Sequence, residues 1–342
     1  MIRCIQVPKS SAQVAKRYLL EHNFLNHEYR VLKDEEFIFF AVTKDYKGEW
    51  ELIDKELRLS IREEITAIPF KKALEDVLTN EELSIAKTAY DLIGTIAIIE
   101  IPDDLLSKEI IIGSALLKSH PQISTVLRKD SIHEGVFRSQ KMKFLAGVDT
   151  RIAEYRENNC TLLVDVEDVY FSTRLSSERK RISEQVKEGE DILVMFSGLA
   201  PYPCVFGKQT LAKSIIGVEI NPRGHELGLQ NIKKNKVTDN VELFCGDVRD
   251  VVPQLNKMFD RIVMPLPKTA EEFLDIALAV SKPHARIHLY AFYHEDEFDK
   301  ALEEINKYCN QAKRTYEIID IIKCGQHAPR TYRICVDIQL TN

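Results

Sequence analysis

Short apolar runs separated by polar, helix-patterned stretches mark the second half of the chain. "DILVMF" (191–196), "SIIGVEI" (214–220), "VELFCGD" (241–247), "FDRIVMPLP" (259–267) and "ARIHLYAFY" (285–293) have the length and apolar density of buried strands. Between them "PRGHELGLQNIKKNK" (222–236) and "TAEEFLDIALAVS" (269–281) have helical spacing, and alternation of the two predicts a parallel sheet covered on both faces. A helical stretch (295–312) leads to two further strand-like runs, "TYEIIDIIKCG" (315–325) and "TYRICVDIQL" (331–340). The connection around "QHAP" is too short for a helical crossover, so these two are expected to pair antiparallel.

The first half has a different rhythm. "SSAQVAKRYLLEHNFL" (10–25) predicts a capped helix, and "EEFIFFAVT" (35–43) and "ELRLSIREEI" (56–65) predict strands. A charged helical segment follows. From "GTIAIIEIP" (94–102) onward the chain reads as strand-rich through "IIIGSALLKSHPQISTVLRK" (110–129), "MKFLAG" (142–147) and "RIAEYRENNCTLLVDVEDVYF" (151–171). The expected division is a small α+β domain over 1–70, a helical linker over 71–93, a middle strand-rich domain over 94–171 and the sheet domain over 172–342.

The 342 residues suffice for several domains, and 44% hydrophobic with 29% charged residues is ordinary for a globular protein. No apolar run approaches a membrane span, and the N-terminus lacks a signal-peptide core, so a cytosolic protein is expected. The seven cysteines include no CxxC pair, which argues against a structural metal site. A net charge of -6 argues against a nonspecific nucleic-acid coat but leaves room for a shape-reading RNA binder with a local basic patch.

The loop after the first strand of the sheet, "FSGLAPYP", lies where parallel-sheet enzymes hold cofactors. It has Gly198, but Ala200 where a dinucleotide loop has a second glycine, and Pro201 and Pro203 remove two backbone donors. A pyrophosphate would lack donors here; S-adenosylmethionine, which carries no phosphate, suits the loop better. Glu219 ends the second strand, where a carboxylate accepts both ribose hydroxyls of NAD or S-adenosylmethionine alike. Asp247, just past the third strand, can accept an adenine amino group. Asn221 in "GVEINP" and Met264 at the end of the fourth strand complete the expected cofactor set. "MPLPK" then offers Pro265 and Pro267 as a rigid wall toward a substrate, or simply a stiffened turn.

Ahead of the sheet, "VYFSTRLSSERKR" gathers Arg174, Arg179, Lys180 and Arg181, suited to phosphate contacts. Glu178 among them should stay ionised, which makes it a plausible proton acceptor; an acid favoured by the helix dipole is the plainer alternative. "EGVFRSQKMKFLAG" adds Arg138, Lys141 and Lys143, or a solvated face.

Five parallel strands closed by an antiparallel hairpin are the plan of class I (Rossmann-like) methyltransferases. "VYFSTRLSSERKRI", "FSGLAPYP", "GVEINP", "GDV" and "HAPRTYRICVDI" together resemble the archaeal branch of the tRNA (guanine-37, N1) methyltransferase family over most of the chain. The resemblance implies an N-terminal domain that reads the tRNA elbow, a middle domain that helps hold the anticodon stem-loop, and a C-terminal domain carrying S-adenosylmethionine. It implies that Glu178 takes the proton from guanine N1, that Arg138 steadies charge on O6, and that Tyr170 packs in the pocket. Phe196, Gly198 and Pro201 match the cofactor loop and Glu219 the ribose acid. A monomer is expected, without metal or membrane.

Family members often carry asparagine where this chain has Pro265. Pro201-Tyr202-Pro203 and Pro265-Leu266-Pro267 resemble a subgroup that also methylates a tricyclic wyosine intermediate at the same tRNA position. Three other functions stay open: the aminocarboxypropyl transferase of the same pathway, an NAD-dependent dehydrogenase, and a noncatalytic tRNA-binding protein.

Overall fold

The apolar alternation of the first strand, Ile2–Pro8, buries Cys4, Ile5 and Val7 and places it inside a sheet. The computed structural model describes residues 2–29, 31–56, 68–131, 135, 137, 139–266 and 268–342. Two units are distinguished by their internal contacts, Met1–Pro69 and Phe70–Asn342. In the first, β1 (Ile2–Pro8) is followed by α1 (Ala12–Glu21), β2 (Leu32–Lys33), β3 (Phe37–Ala41) and β4 (Leu52–Lys55). They form an antiparallel sheet of order β2-β3-β1-β4. Helix α1 buries Ala15 and Leu19 in a core with Ile5, Val7 and Phe40. The strand expected over 56–65 lies, apart from Glu56, outside the described residues.

The second unit opens with α2 (Phe70–Glu75) and α3 (Asn80–Ile85), the latter started by a capping box between Thr79 and Glu82. A sheet of order β5-β6-β7-β8 follows, from β5 (Tyr90–Ile93), β6 (Ile96–Ile99), β7 (Thr125–Lys129) and β8 (Met142–Gly147), with α4 (Glu109–Ser119) crossing between the parallel pair β6 and β7. Two expectations change here. The segment 71–93 is no linker: Phe70, Leu74 and Leu78 are buried in one core with Ile99, Leu116 and Leu145, and its end is strand β5. The run at 110–119 is helical, because Ile112, Ala115, Leu116 and Ser119 share a buried face at helical spacing; three successive isoleucines had masked that period.

Hairpin β9 (Ile152–Glu157) and β10 (Cys160–Asp165) stands apart from that sheet. Its open edge faces a helix rather than a strand. On α7 (Pro222–Asn235), buried Asn231 and Asn235 supply what a strand would: Leu163 N–H donates to Asn231 at 2.7 Å and Thr161 N–H to Asn235 at 2.9 Å, and each amide donates back. The boundary expected at 171/172 therefore places in the middle domain a hairpin that packs on the layer of the seven-stranded sheet.

That layer comprises α5 (Ser176–Ser183), β11 (Asp191–Met195), α6 (Pro201–Gln209), β12 (Ser214–Glu219), α7, β13 (Val241–Cys245), α8 (Val248–Gln254), β14 (Phe259–Met264), α9 (Leu274–Ala279), β15 (Ser281–His294), α10 (Phe298–Gln311), β16 (Tyr316–Ala328) and β17 (Thr331–Leu340). The sheet order is β13-β12-β11-β14-β15-β17-β16. Strands β11 to β15 run parallel; β17 is antiparallel to β16, as the hairpin reading required, and also to β15. Every residue of central β11 is buried, which explains why its sequence is a continuous apolar run rather than an alternating one. The order reverses between β11 and β14, and at such a point the strand ends leave a crevice. Among the described residues no helix is long and apolar enough to cross a membrane.

Candidate active site

The loop leaving β11 is wound left-handed. Phe196 (φ 59°), Gly198 (φ 56°) and Ala200 (φ 64°) all adopt positive φ, and Ala200 caps α6. Pro201 occupies the first helical position, where an N–H has no intrahelical partner, so the prolines start the helix rather than break it. At Gly198 an added Cβ would meet nothing within 4 Å: the space belongs to the crevice.

Glu219 at the end of β12 faces this loop. Its carboxylate accepts from the Gly198 N–H at 2.6 Å and from the Asn221 N–H at 2.8 Å. Burial raises its pKa, and those backbone donors only partly oppose the rise. The two N–H groups fix both oxygens while leaving acceptor capacity on each. A cavity of about 390 Å³ opens there, with Gly198, Glu219 and Asp247 among its polar wall and Phe196, Leu266 and Phe273 among its apolar wall. A carboxylate for a diol, apolar faces for a flat heterocycle and a glycine left open fit a nucleoside-bearing cofactor.

The other expected cofactor residues divide. Asp247 lines the cavity and caps α8, accepting from the Arg249 N–H at 2.8 Å. Asn221 lines it too, but its side chain caps α7 and donates to the Asp168 carbonyl at 2.8 Å, so it shapes the turn. Pro201 and Met264 are not among the lining residues. Pro201 turns into α6, and Met264 is wholly buried in the core with Leu193 and Met195. Pro265 lines the cavity; Pro267 and Arg138 lie outside the described residues.

A second cavity, about 750 Å³, adjoins the first and shares Gly135, Val169, Tyr170 and Lys268 with it. Arg174, Lys129 and Arg333 give it positive charge, with Asp91 and Glu100 opposing. Arg174 pairs with Asp91 at 3.2 Å, and Lys129 with Asp91 and Glu100. Arg333 donates to the Tyr170 hydroxyl at 2.8 Å, and Phe292 stacks on His327 with ring centres 4.3 Å apart.

The basic cluster of α5 is not one surface. Arg179 is 2% exposed and binds Glu157 through two nitrogens, which corrects its expected phosphate contact. Arg181 is likewise turned inward, to Glu178 at 2.7 and 2.8 Å and to Asp337 at 2.7 Å. Arg174, just ahead of α5, is exposed on the rim of the larger cavity, and Lys180 is exposed beside Glu184 at 3.7 Å. Glu178 is buried, lines neither cavity, and also accepts from the Tyr290 hydroxyl at 2.8 Å. Burial works to raise its pKa, but Arg181 and then Tyr290 outweigh it and hold the carboxyl below the usual range. Cys324, on the wall of the larger cavity, lies against it: burial and then the Glu178 carboxylate push that thiol up.

Sequence reasoning passed over Phe273, which meets Phe196 edge-on at 5.0 Å in the wall of the smaller cavity, because it sits inside an ordinary helical period. It also passed over His327 and Arg333, although both lie in the quoted "HAPRTYR". Among the described residues His288, Cys335 and Asp337 could share an ion, but Arg261 donates to His288 and Arg181 to Asp337.

The sheet order, with a carboxylate-lined cavity at its reversal point, defines a class I methyltransferase fold. The chain belongs to the TRM5/TYW2 methyltransferase family. The TRM5/TYW2 methyltransferase domain matches residues 153–319, a TYW2 N-terminal domain 70–150, and a tRNA methyltransferase 5 N-terminal domain 4–51. The tRNA (guanine(37)-N(1))-methyltransferase Trm5b of Pyrococcus abyssi is 33% identical, over all of both chains. The tRNA (guanine(37)-N(1))/4-demethylwyosine(37)-methyltransferase Taw22 of Nanoarchaeum equitans is 32% identical, over 74% of this chain and 99% of its own. The aTrm5 chain solved in complex with tRNALeu superposes with a TM-score of 0.71 at 28% identity, covering 98% of this chain and 99% of its own.

Proposed function

We propose that this protein transfers a methyl group from S-adenosylmethionine to N1 of guanine-37 in tRNA. The observation that carries the reading is the shared wall: the cradle at Glu219 and the larger, basic-rimmed cavity meet at Tyr170, so a donor in one faces a base in the other. Relatives named for this activity match over the full chain. When bound, S-adenosylmethionine supplies an electrophilic methyl on its sulfonium. Glu219 would hold the ribose, Asp247 the adenine, and the apolar wall would exclude water from the transfer.

Guanine N1 carries a proton and is a poor nucleophile while it does. Glu178, kept ionised by Arg181, is the proposed acceptor of that proton. Arg138 is proposed to steady the negative charge left on O6. A base beside the anticodon must leave its stack to enter the cavity, and Tyr170 is proposed as an aromatic that packs against it there. Arg174 on the rim is proposed to contact a phosphate. The N-terminal unit is proposed to contact the tRNA elbow. One chain then carries every contact, so a cytosolic monomer working without metal is the expected form.

Pro265 in place of asparagine and the likeness to the Nanoarchaeum protein favour a second substrate, the tricyclic wyosine intermediate, at the same site. The test is methyl transfer to G37 and A37 transcripts and to tRNA bearing the tricyclic base, read as nucleoside masses. Methyl on G37 but not A37 is expected. Transfer of an aminocarboxypropyl group, or none to G37, would overturn the reading.

A further inference from the structure

Tyr290 on β15 and Tyr202 on α6 are both buried, with hydroxyls 2.7 Å apart. The Tyr290 hydroxyl also lies 2.8 Å from Oε1 of Glu178. These distances fix a direction. An ionised carboxylate only accepts, so the single proton of Tyr290 goes to Glu178, and Tyr202 must be the donor to Tyr290. Tyr202 stands one residue after Pro201, on the helix that the left-handed Ala200 opens from the cofactor loop. Phenylalanine at either position would fill nearly the same volume, so packing alone does not call for two hydroxyls. The Tyr202 hydroxyl has its partner in Tyr290, and the Tyr290 hydroxyl has partners in Tyr202 and Glu178. The carboxylate's remaining anchor is Arg181, which Asp337 shares.

We propose that Tyr290 is a positioning residue for methyl transfer, holding the Glu178 carboxylate, and that Tyr202 ties it to the cofactor loop so that proton acceptor and cradle share one frame. This rests on the role given to Glu178 above. The charged and titratable groups facing that carboxylate are Arg181 on α5, Tyr202 on α6, Tyr290 on β15, Cys324 on β16, and Cys335 and Asp337 on β17. Tyr290 is the neutral one that both donates to it and reaches toward the loop.

The experiment is single-turnover methylation of a G37 transcript across pH, with cofactor affinity by calorimetry, for Tyr290→Phe, Tyr202→Phe, Glu178→Gln and Tyr290→Phe/Glu178→Gln. Tyr290→Phe is expected to slow transfer about tenfold, the effect of one hydrogen bond to a charged group. It should move the acidic limb of the rate profile to higher pH, because the lost donor favoured the charged form. Cofactor affinity should hold, and the effect should vanish in the Glu178→Gln background. Tyr202→Phe, which leaves Glu178 untouched, should act in the same direction more weakly, and it serves if Tyr290→Phe does not fold. An unmoved acidic limb in both single variants, or undiminished slowing by Tyr290→Phe in the Gln background, overturns the inference. Wild-type transfer by Glu178→Gln would instead overturn the proton-acceptor role beneath it.

Discussion

Arg179 on α5 and Glu157 at the end of β9 form a two-point ion pair closed off from water, with nitrogen and oxygen 2.5 Å apart. It joins a hairpin and a helix that the sequence assigns to different domains. The Arg179 guanidinium also lies against the ring of Phe171 and donates to the Ser172 carbonyl, so it fixes the stretch that carries Tyr170.

Removing one partner strands the other. Arg179→Met should destabilise the protein by about 3–5 kcal/mol, because Glu157 is left as a buried uncompensated charge. Arg179→Met/Glu157→Leu should recover most of that loss. Urea unfolding of the full chain measures both; a double variant as unstable as the single would show that packing, not charge, is what matters here.

Glu219 permits a sharper test. Both of its oxygens accept from backbone N–H groups, so Glu219→Gln turns an amide NH₂ toward a donor and leaves one buried N–H unsatisfied. A cost of about 1–3 kcal/mol is expected in the apo protein, together with at least about a tenfold loss of cofactor affinity. Because burial raises the wild-type pKa above 4.5, acidification should weaken cofactor binding before an ordinary glutamate would titrate. Calorimetry across pH reads this directly, and binding that stays flat down to the ordinary glutamate range would contradict it.

The parallel strands and the antiparallel terminal pair were legible because buried strands leave continuous apolar runs and because "QHAP" is too short to cross over. Glu219 and Asp247 were legible because strand ends fix where a side chain can point. The basic cluster was not. Arg174, Arg179 and Arg181 are indistinguishable as letters, yet a few residues of helix turn the first to the rim and the other two inward, to Glu157 and Asp337. Those partners lie 22 and 156 residues away in sequence, and no local pattern announces them. Helix α4 was missed because β-branched residues dominated a period that only burial reveals.

His288 predicts a particular acid sensitivity. It is wholly buried between Asp337 and Arg261, and burial drives its pKa below 6.5. Arg261 donates to Nε2, so Nδ1 carries the proton that Asp337 accepts. The unfolded chain therefore takes up a proton that the folded chain refuses. This contribution to stability is complete above about pH 6.5 and declines below it, by at most about 1.4 kcal/mol per pH unit. Asp337 adds a later stage. Burial opposes it, but His288 and Arg181 hold its pKa below 3.8, so its contribution is present above that value and lost as pH falls through the folded one. In His288→Gln, whose amide can still accept from Arg261 and donate to Asp337, the first stage should shrink and the second remain. Denaturant unfolding from neutral to acid pH distinguishes them, and an unchanged first stage would assign it to another group such as His225, also held low by burial.

The rim of the larger cavity predicts how RNA binding responds to salt. Arg174 is largely exposed and its pairing with Asp91 is a surface ion pair, worth about 0–1 kcal/mol. A phosphate can displace Asp91 at little expense. Arg174→Ala should therefore weaken tRNA binding and reduce the slope of log affinity against log salt by about 0.7–0.9, the signature of one lost phosphate contact. Preference for G37 over A37 should not change, because a phosphate contact carries no base information. Asp91→Asn should act oppositely: it frees Arg174 and leaves Lys129 to Glu100 alone, and tRNA should bind more tightly at low salt. Filter binding over a salt series checks both variants. If Arg174→Ala leaves the slope unchanged, the phosphates lie elsewhere, and the Asp91 pair only fastens the wall of the cavity.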